Sequence, residues 1–384
     1  MKIKTLQKIK TAFTKDDVMK TPSQFEKCKK YLDGLPQPED EIDRSYCQFL
    51  TQSFYQGRPI IRLAERCYAK LKLKKYLNSF LRRKPDFVRQ ADAVFFNSLG
   101  KKIIPDELCE AYPDIAIDDG LDNPLLLPED CELIEEIRSR YKNPYFIFKI
   151  SCKLAAYRNL IERYRPKAII ATSEYSFCSS VLTKFCRNNG VLHINVMHGE
   201  KLFDMTSTFF EFDRCYVWDS HYIDLFEEMK AKPNQFAVAV PESMKFDREL
   251  PEPTADLKVF LSNESKSELK RMKNCLDRIL SENIMDIRKI VIRPHPIYGS
   301  LKNTEKVFSD GYTIENCKDV GIEDSITESR YVMARYSTVL QQALNNGVKI
   351  ILDDCTSPKS AGMLKLLKYR LIGLDGVDLL SELV

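Results

Sequence analysis

The sequence predicts an α/β protein with two Rossmann-like domains that face a cleft, preceded by a helical N-terminal region. Short apolar strands alternate with amphipathic helices from about residue 150 onward. A segment with four prolines, 230–257, interrupts this alternation, which restarts at 258 and continues to 354. A chain of 384 residues is also long for a single core, so two domains are expected.

The predicted domain limits follow these changes of pattern. They are 1–90 for the helical region, 91–229 for the first domain, 230–257 for a linker and 258–384 for the second domain. In the helical region, apolar residues recur at helical spacing, most clearly over 54–83. The run 91–100 predicts a buried strand followed by a tight turn.

The two predicted sheets are parallel because their strands are apolar throughout and are joined by helices. The predicted strands are 167–173, 191–197, 214–219, 258–263, 289–293, 312–317, 330–336 and 348–354. The predicted helices among them are 151–165, 176–190, 264–282 and 337–347. In such sheets ligands bind beyond the carboxyl ends of the strands, so the residues that follow each strand are the candidates for a site.

The composition is typical of a globular protein without membrane spans. The net charge is +4, and no apolar run approaches the roughly 18–20 residues that cross a bilayer. The N-terminus has no signal-peptide pattern, so a cytoplasmic protein is expected, working at the inner face of the membrane. Its twelve cysteines are scattered without metal-ligand spacing, which indicates reduced thiols and no metal site.

Two segments are strongly basic. Residues 1–30 contain nine lysines and three acidic residues, and 70–84 contain seven basic residues and no acidic one. Two interpretations remain open at this point: solvated helix faces, or a basic patch for an anionic membrane surface or a polyanionic substrate. Nucleic acid is not expected as a partner because no binding motif accompanies the charge.

The first candidate site residue follows the predicted strand 191–197. His198 is followed by Gly199, which lets the backbone turn sharply, and a histidine at a strand end suits general base catalysis near neutral pH. Glu200 lies in the same loop and is a second catalytic candidate. His193 lies on the strand itself and is expected to be packed in the core.

The second candidate is the sequence Arg-Pro-His-Pro after the strand 289–293. Its two prolines stiffen the backbone around His295. Arg293 and His295, followed by Pro296, suit an anionic group such as a diphosphate.

Two further turns carry hydroxyl and amide side chains. Ser337 and Thr338 open the helix 337–347, whose N-terminal N–H groups form a potential anion site. Ser262 and Asn263 occupy the equivalent turn after the strand 258–263. Neither turn contains a phosphate-binding loop of the Gly-x-x-x-x-Gly-Lys type, which argues against a P-loop enzyme.

Together these motifs resemble bacterial GT-B glycosyltransferases that build surface polysaccharides. The order is strand–His-Gly, strand–Arg-Pro-His-Pro and strand–x-Tyr-Ser-Thr-x-Leu-x-x-Ala-Leu, and it covers about residues 150–355. The likeness is strongest to the teichoic-acid polymerase type and to the capsule and lipopolysaccharide transferases. It implies a nucleotide-activated sugar donor, CMP-, CDP- or UDP-linked, in the second domain and a glycan acceptor, including lipid-linked glycans, over the first. It implies no bound metal and no cofactor.

The resemblance also implies roles for individual residues. His198 corresponds to the candidate catalytic base, His295 to the histidine that contacts donor phosphate, and Ser337 with Thr338 to the helix start that faces the phosphates.

Three alternatives remain. Bacterial sialyltransferases of related fold pair an acidic-acidic-Gly motif with a His-Pro motif that binds CMP. Asp118-Asp119-Gly120 with His295-Pro296 resembles that pairing, which makes Asp118 or Asp119 a candidate base. A nucleotide-sugar epimerase and a non-catalytic nucleotide-binding protein are the other two.

Overall fold

The computed structural model describes residues 19–56, 58–96, 100–246, 249–297, 299–356 and 361–384. Residues 1–18, which form the first part of the basic segment 1–30, lie outside these ranges. So do residues 97–99, which belong to the turn predicted within 91–100. The described chain forms two compact units. One contains Ser23–His198 and Phe203–Pro241, and the other contains Glu242–Val384 together with the short segments Lys20–Pro22 and Gly199–Leu202.

The first unit begins with the predicted helical region and continues into a sheet. Its helices are α1 (Pro22–Asp33), α2 (Glu41–Tyr55), α3 (Pro59–Leu81), α4 (Asp106–Ala111), α5 (Asp130–Arg140), α6 (Pro144–Tyr164), α7 (Ser179–Asn188) and α8 (Ser220–Glu228). Its strands are β1 (Ala93–Phe96), β2 (Ile115–Ile117), β3 (Ala168–Ala171), β4 (Leu192–Val196), β5 (Arg214–Val217) and β6 (Phe236–Val238).

The second unit repeats the alternation. Its strands are β7 (Ala255–Phe260), β8 (Ile290–Arg293), β9 (Thr313–Ile314), β10 (Ser329–Ala334), β11 (Lys349–Leu352) and β12 (Val377–Leu379). Its helices are α9 (Lys266–Ser281), α10 (Leu301–Val307), α11 (Ile322–Thr327), α12 (Thr338–Asn345), α13 (Ala361–Leu366) and α14 (Leu380–Leu383). Single 3₁₀ turns occur at Lys101–Ile103, Glu242–Met244 and Ile284–Asp286.

Both sheets are six-stranded and parallel throughout. The first has the order β2-β1-β3-β4-β5-β6 and the second β12-β11-β10-β7-β8-β9. Numbered within its own unit, the second order is that of a dinucleotide-binding Rossmann sheet, in which the strand order reverses between the first and fourth strands, here β7 and β10. The predicted α/β class with two Rossmann-like sheets and N-terminal helices is therefore confirmed.

Each sheet is buried on both faces, as the apolar strands predict. In the first unit Val94 and Ile169 join the core beneath helices α2, α6 and α7, while Phe95 and Ile170 join the core on the opposite face. This alternation follows from the two-residue period of a strand. In the second unit the core includes Leu257 together with residues of β8, β10 and α9.

The linker predicted at 230–257 contains regular structure at both ends. Strand β6 pairs with β5 at the edge of the first sheet, and β7 begins at Ala255. The two units divide between Pro241 and Glu242, inside the predicted span. No helix among the described residues combines the length and apolar composition that crossing a bilayer requires. The twelve cysteines are free thiols, and Cys67, Cys109 and Cys355 are exposed.

Candidate functional site

The donor-binding motifs predicted in the second unit follow three consecutive strands. The sheet order places β10, β7 and β8 side by side. Ser337 and Thr338 follow β10, Ser262 and Asn263 follow β7, and His295 and Pro296 follow β8. Because neighbouring strands lie about 4.8 Å apart, these three strand ends span roughly 10 Å. They surround the point where the strand order reverses, which is where ligands bind in open parallel sheets.

Ser337 and Thr338 form the N-terminus of helix α12. Ser337 is the N-cap residue, and its Oγ accepts a hydrogen bond from the Val339 N–H at 3.3 Å. The first turn of this helix contains no acidic residue. Its partial positive charge is therefore not neutralised by its own first turn, and the helix start suits an anionic ligand.

The turn after β7 differs because it supplies its own carboxylates. Glu264 Oε2 accepts a hydrogen bond from the Ser262 N–H at 2.7 Å. Ser265 and Glu268 then form a reciprocal capping box at the start of α9. Asn263 is exposed and Ser262 is half-buried. These carboxylates make the start of α9 less suited to an anion than the start of α12.

Arg335 lies at the end of β10 and is surrounded by acidic side chains. Its Nε donates to Asp353 at 3.0 Å and one terminal nitrogen donates to Glu268 at 2.9 Å. Glu264 is within 3.9 Å of the same guanidinium, and burial raises the pKa of that carboxyl. The charge of Arg335 is thus balanced by protein carboxylates, which fix the ends of β10, β11 and α9 relative to one another.

His295 is held in a tight turn. The Gly299 N–H donates to the His295 carbonyl oxygen at 3.0 Å, and a Cβ atom at position 299 would lie 2.6 Å from the His295 nitrogen. The Ile297 N–H donates to His295 Nδ1 at 3.1 Å, so Nδ1 is the accepting nitrogen and Nε2 carries the hydrogen of the neutral ring. Partial burial lowers the pKa of His295. Pro296, next to it, is exposed.

Arg293 lies one residue before that turn but is buried. Its guanidinium pairs with Glu315 and donates to the Val320 carbonyl oxygen at 2.9 Å. Glu315 also pairs with the buried Lys258 at 2.9 Å. The guanidinium is thus engaged with protein groups, which secure the end of β8 from which His295 extends.

In the first unit, His198 follows strand β4 and is half-buried. The ring centroids of Tyr175 and His198 are 6.2 Å apart. Gly199 has φ +70°, in the left-handed region, so glycine is favoured there by backbone conformation. The nearest atom to a Cβ at this position would be Thr338 Oγ1 at 3.9 Å, an ordinary contact.

Glu200 belongs to the second unit, where the turn after β10 holds its backbone. The Glu200 N–H donates to Thr338 Oγ1 at 3.2 Å, and the Tyr336 hydroxyl donates to the Glu200 carbonyl oxygen at 3.0 Å. The side chain is buried, and its Oε1 accepts from the Lys201 N–H at 3.1 Å. Both backbone groups of Glu200 are therefore satisfied by residues that flank the start of α12.

The Asp-Asp-Gly turn follows β2, the edge strand of the first sheet. Asp118 accepts a hydrogen bond from the Tyr164 hydroxyl at 2.8 Å and pairs with Arg163 at 3.1 Å. Asp119 is exposed and accepts from the Leu121 N–H at 3.0 Å. The sheet order places β2 three strands from β4, about 14 Å. The turn and the end of β4 that carries His198 therefore lie apart in the first sheet.

One carboxylate near His198 was not predicted. Glu174 is fully buried just after β3, the strand next to β4. Asn195 Nδ2 donates to its Oε2 at 3.3 Å, and Gln48 Nε2 donates to its carbonyl oxygen at 2.8 Å. The sequence signal was an acidic residue directly after the apolar run 167–173. The Glu174 carboxylate therefore lies beyond the end of the strand that neighbours the one His198 follows.

His193 is buried on β4, as expected. Its ring lies between the Tyr157 hydroxyl, at 3.0 Å from Nε2, and the Thr183 hydroxyl, at 2.8 Å from Nδ1. Burial lowers the pKa of His193 to about 3. The ring is therefore neutral in the folded protein at every pH at which the protein would ordinarily be handled.

This neutral histidine predicts a pH dependence of stability. The unfolded chain binds the proton below pH about 6.5 and the folded chain does not. We expect the free energy of unfolding to fall by about 1.4 kcal/mol per pH unit below that value, because of this one group. Urea unfolding at pH 7, 6 and 5, for the wild type and for His193→Gln, measures it. The same pH slope in both proteins would contradict the assignment.

No family model matches the chain, and no curated protein matches it. Among solved structures, the wall teichoic acid polymerase TagF is similar over 84% of this chain and 86% of its own, at 10% identity and a TM-score of 0.43. The UDP-GlcNAc 2-epimerase from Neisseria meningitidis, solved with UDP-GlcNAc, is similar over 71% and 84%, at 8% identity and a TM-score of 0.43. The lipopolysaccharide outer core galactosyltransferase WaaB is similar over 70% and 82%, at 11% identity and a TM-score of 0.40.

Proposed function

We propose that this protein is a glycosyltransferase that moves a sugar from a nucleotide-activated donor to a growing bacterial surface glycan. One observation carries the proposal: three polar motifs follow β10, β7 and β8, at the reversal point of a Rossmann sheet, and two of them, after β10 and β8, suit a donor phosphate. The donor nucleotide would lie there, with its phosphate at the start of α12 and near His295.

In the proposed reaction one group accepts a proton from the acceptor, and two groups stabilise the leaving nucleotide. His198 accepts the proton of the acceptor hydroxyl as that oxygen bonds to the anomeric carbon of the donor. The bond from that carbon to the phosphate oxygen breaks, and its electron pair leaves with the nucleotide. His295 and the N–H groups at the start of α12 stabilise the charge that develops on the phosphate. His198 immediately precedes the segment that Tyr336 and Thr338 hold through Glu200.

Glu200 is assigned a positioning role in this proposal, because its backbone is bonded at both its N–H and its carbonyl oxygen. Ser262 and Asn263 are assigned to the nucleoside side of the donor, since the neighbouring carboxylates disfavour phosphate there. Asp118 and Asp119 are not assigned as the base. The bonds of Asp118 to Tyr164 and Arg163 and the edge position of the turn favour His198 instead.

The donor class we propose is a CMP-, CDP- or UDP-linked sugar, and the acceptor a lipopolysaccharide or capsule glycan on a lipid carrier. The support is the motif order His-Gly, Arg-Pro-His-Pro and Tyr-Ser-Thr. Purified protein should be incubated with each labelled nucleotide sugar, with and without glycan acceptors from bacterial envelopes. We expect one donor to label the acceptor. Turnover of donor without acceptor would favour an epimerase, and donor binding without turnover a non-catalytic protein.

The proposed transfer needs no bound metal. The carboxylates that follow β7 and β11, Glu264, Glu268 and Asp353, already bond to Arg335 or to backbone N–H groups. We expect the transfer rate to survive dialysis against EDTA within about twofold. Loss of activity that Mg²⁺ or Mn²⁺ restores would contradict this expectation.

A further inference from the structure

Helix α3 has an exposed apolar stripe that no other part of the described chain covers. Ile60 is 82% exposed, Leu63 63% and Leu71 78%, and Leu81 is also exposed. At 100° per residue these four side chains fall within roughly a quarter of the helix circumference. Ala69 and Phe80, on the opposite side, are buried against the core of the first unit. The helix is therefore anchored by one face and presents a second apolar face to solvent.

Basic side chains flank this stripe. Lys70 lies on one side of it and Lys75 on the other, Lys74 lies within it, and all three are exposed. Across the described ranges these three lysines form no ion pair, so their charges are not neutralised by neighbouring carboxylates. An apolar stripe with lysine on its flanks is the arrangement of helices that lie in a membrane interface.

A groove of about 800 Å³ runs beside the same helix, within the first unit. Its apolar residues come from α3, α5 and α6: Leu73, Leu77, Leu81, Ile134, Pro144 and Ile147. Its basic residues are Lys70, Lys74, Arg138 and Lys142. Arg138 is paired with Glu135 at 2.7 Å, so the unneutralised charge of the groove comes from Lys70 and Lys74 of α3 and from Lys142, which donates to the Arg138 carbonyl oxygen. Apolar surface and positive charge thus continue from the stripe into the groove.

We propose that the exposed face of α3, with this groove, docks the protein on an anionic phospholipid bilayer. The apolar stripe would enter the interface, the lysines would contact lipid phosphates, and the groove would accept part of an acyl chain. A second copy of the chain fits less well, because a two-fold interface would bring two sets of unpaired lysines together. Nucleic acid would contact the lysines but would leave Ile60 and Leu71 in water.

This inference goes beyond the proposed transfer reaction. The surface it concerns contains none of the residues to which a role in sugar transfer is assigned. Its test reads binding, so it can fail or succeed independently of sugar transfer. If both proposals hold, the surface brings the enzyme to the layer in which lipid-linked acceptors are found.

The full chain should be sedimented with vesicles of phosphatidylcholine, with and without about 30% phosphatidylglycerol. We expect binding to the anionic vesicles only, and weaker binding at high salt. The triple variant Lys70→Gln, Lys74→Gln, Lys75→Gln should bind roughly 100-fold more weakly, at about fivefold per lysine. The matched control Lys266→Gln, Lys270→Gln, Lys306→Gln removes the same charge from exposed positions of the second unit and should bind as the wild type does.

A second variant separates the apolar contribution from charge. Ile60→Ser, Leu63→Ser, Leu71→Ser keeps all the lysines, and we expect it to lose most vesicle binding while its thermal unfolding is unchanged. The proposal would be overturned if the wild type bound neutral and anionic vesicles equally. It would also be overturned if the lysine variant of α3 and the serine variant of α3 both bound vesicles as tightly as the wild type. A wild-type dimer in sedimentation equilibrium that becomes monomeric in either α3 variant would also overturn it. Binding of duplex DNA without binding of vesicles would do the same.

Discussion

Replacing His198 with asparagine should lower the sugar-transfer rate by roughly 100- to 10,000-fold, the range that general base catalysis contributes. Asparagine is similar in size and polarity but cannot accept the acceptor proton near neutral pH. The KM for the nucleotide sugar should change little, because the proposed phosphate contacts come from His295 and α12. Steady-state kinetics with the identified donor and acceptor measure both quantities.

The matched control is His221→Asn, which makes the same replacement at the start of helix α8, at a residue assigned no role in the transfer. It should leave the transfer rate within about twofold of the wild type. A His198→Asn enzyme that keeps the wild-type rate would show that His198 is not the base. If Asp119→Asn then abolished transfer, the sialyltransferase-type assignment would replace it.

Replacing Gly299 with alanine should raise the KM for the donor by roughly 10- to 100-fold, the effect of losing a charge-assisted hydrogen bond. The added Cβ would lie 2.6 and 2.7 Å from the backbone nitrogen and oxygen of His295. The turn must open to relieve this overlap, which moves His295 away from the proposed phosphate. The KM for the acceptor should not change.

Gly100→Ala is the control for this experiment. Gly100 has φ −68°, and a Cβ there would meet no atom within 4 Å. This variant should keep both KM values. If Gly299→Ala bound donor as tightly as the wild type, while circular dichroism showed a native fold, His295 would have no part in donor binding.

The sequence was sufficient to predict the strands that support the proposed site, because each is a short apolar run between polar turns. It placed them only to within about three residues: the strand predicted at 258–263 is β7, Ala255–Phe260. That shift leaves Ser262 and Asn263 in the turn and not on the strand. The hydrophobic pattern does not reveal the order of the strands, since that order depends on pairing between segments far apart in the chain.

Three strands were missed for a physical reason. Strands β2, β6 and β12 each have three residues and lie at sheet edges, where few apolar neighbours are needed. A run of three residues is too short for its periodicity to distinguish a strand from other apolar segments. Because the sequence does not predict β2, it also does not show where the Asp-Asp-Gly turn lies. The structure places this turn at the edge of the first sheet.

Side-chain partners were the least predictable part of the candidate site. The sequence around Arg293 suits a phosphate, but Glu315, 22 residues later, occupies its guanidinium. In the sequence, Glu174 is marked only as an acidic residue that follows a strand. Its burial depends on hydrogen bonds from Gln48 and Asn195, which belong to other elements. Such pairings follow from tertiary packing and have no local sequence signature.

The proposed function depends most on nucleotide binding at the strand ends of the second sheet, through His295 and the start of α12. Calorimetric titration of the full chain with CMP, CDP, UDP and GDP tests it most directly, with His295→Ala as the variant. We predict that one of these nucleotides binds the wild type and binds His295→Ala roughly 10-fold or more weakly. Binding of none of them, or equal binding to both proteins, would contradict the proposal.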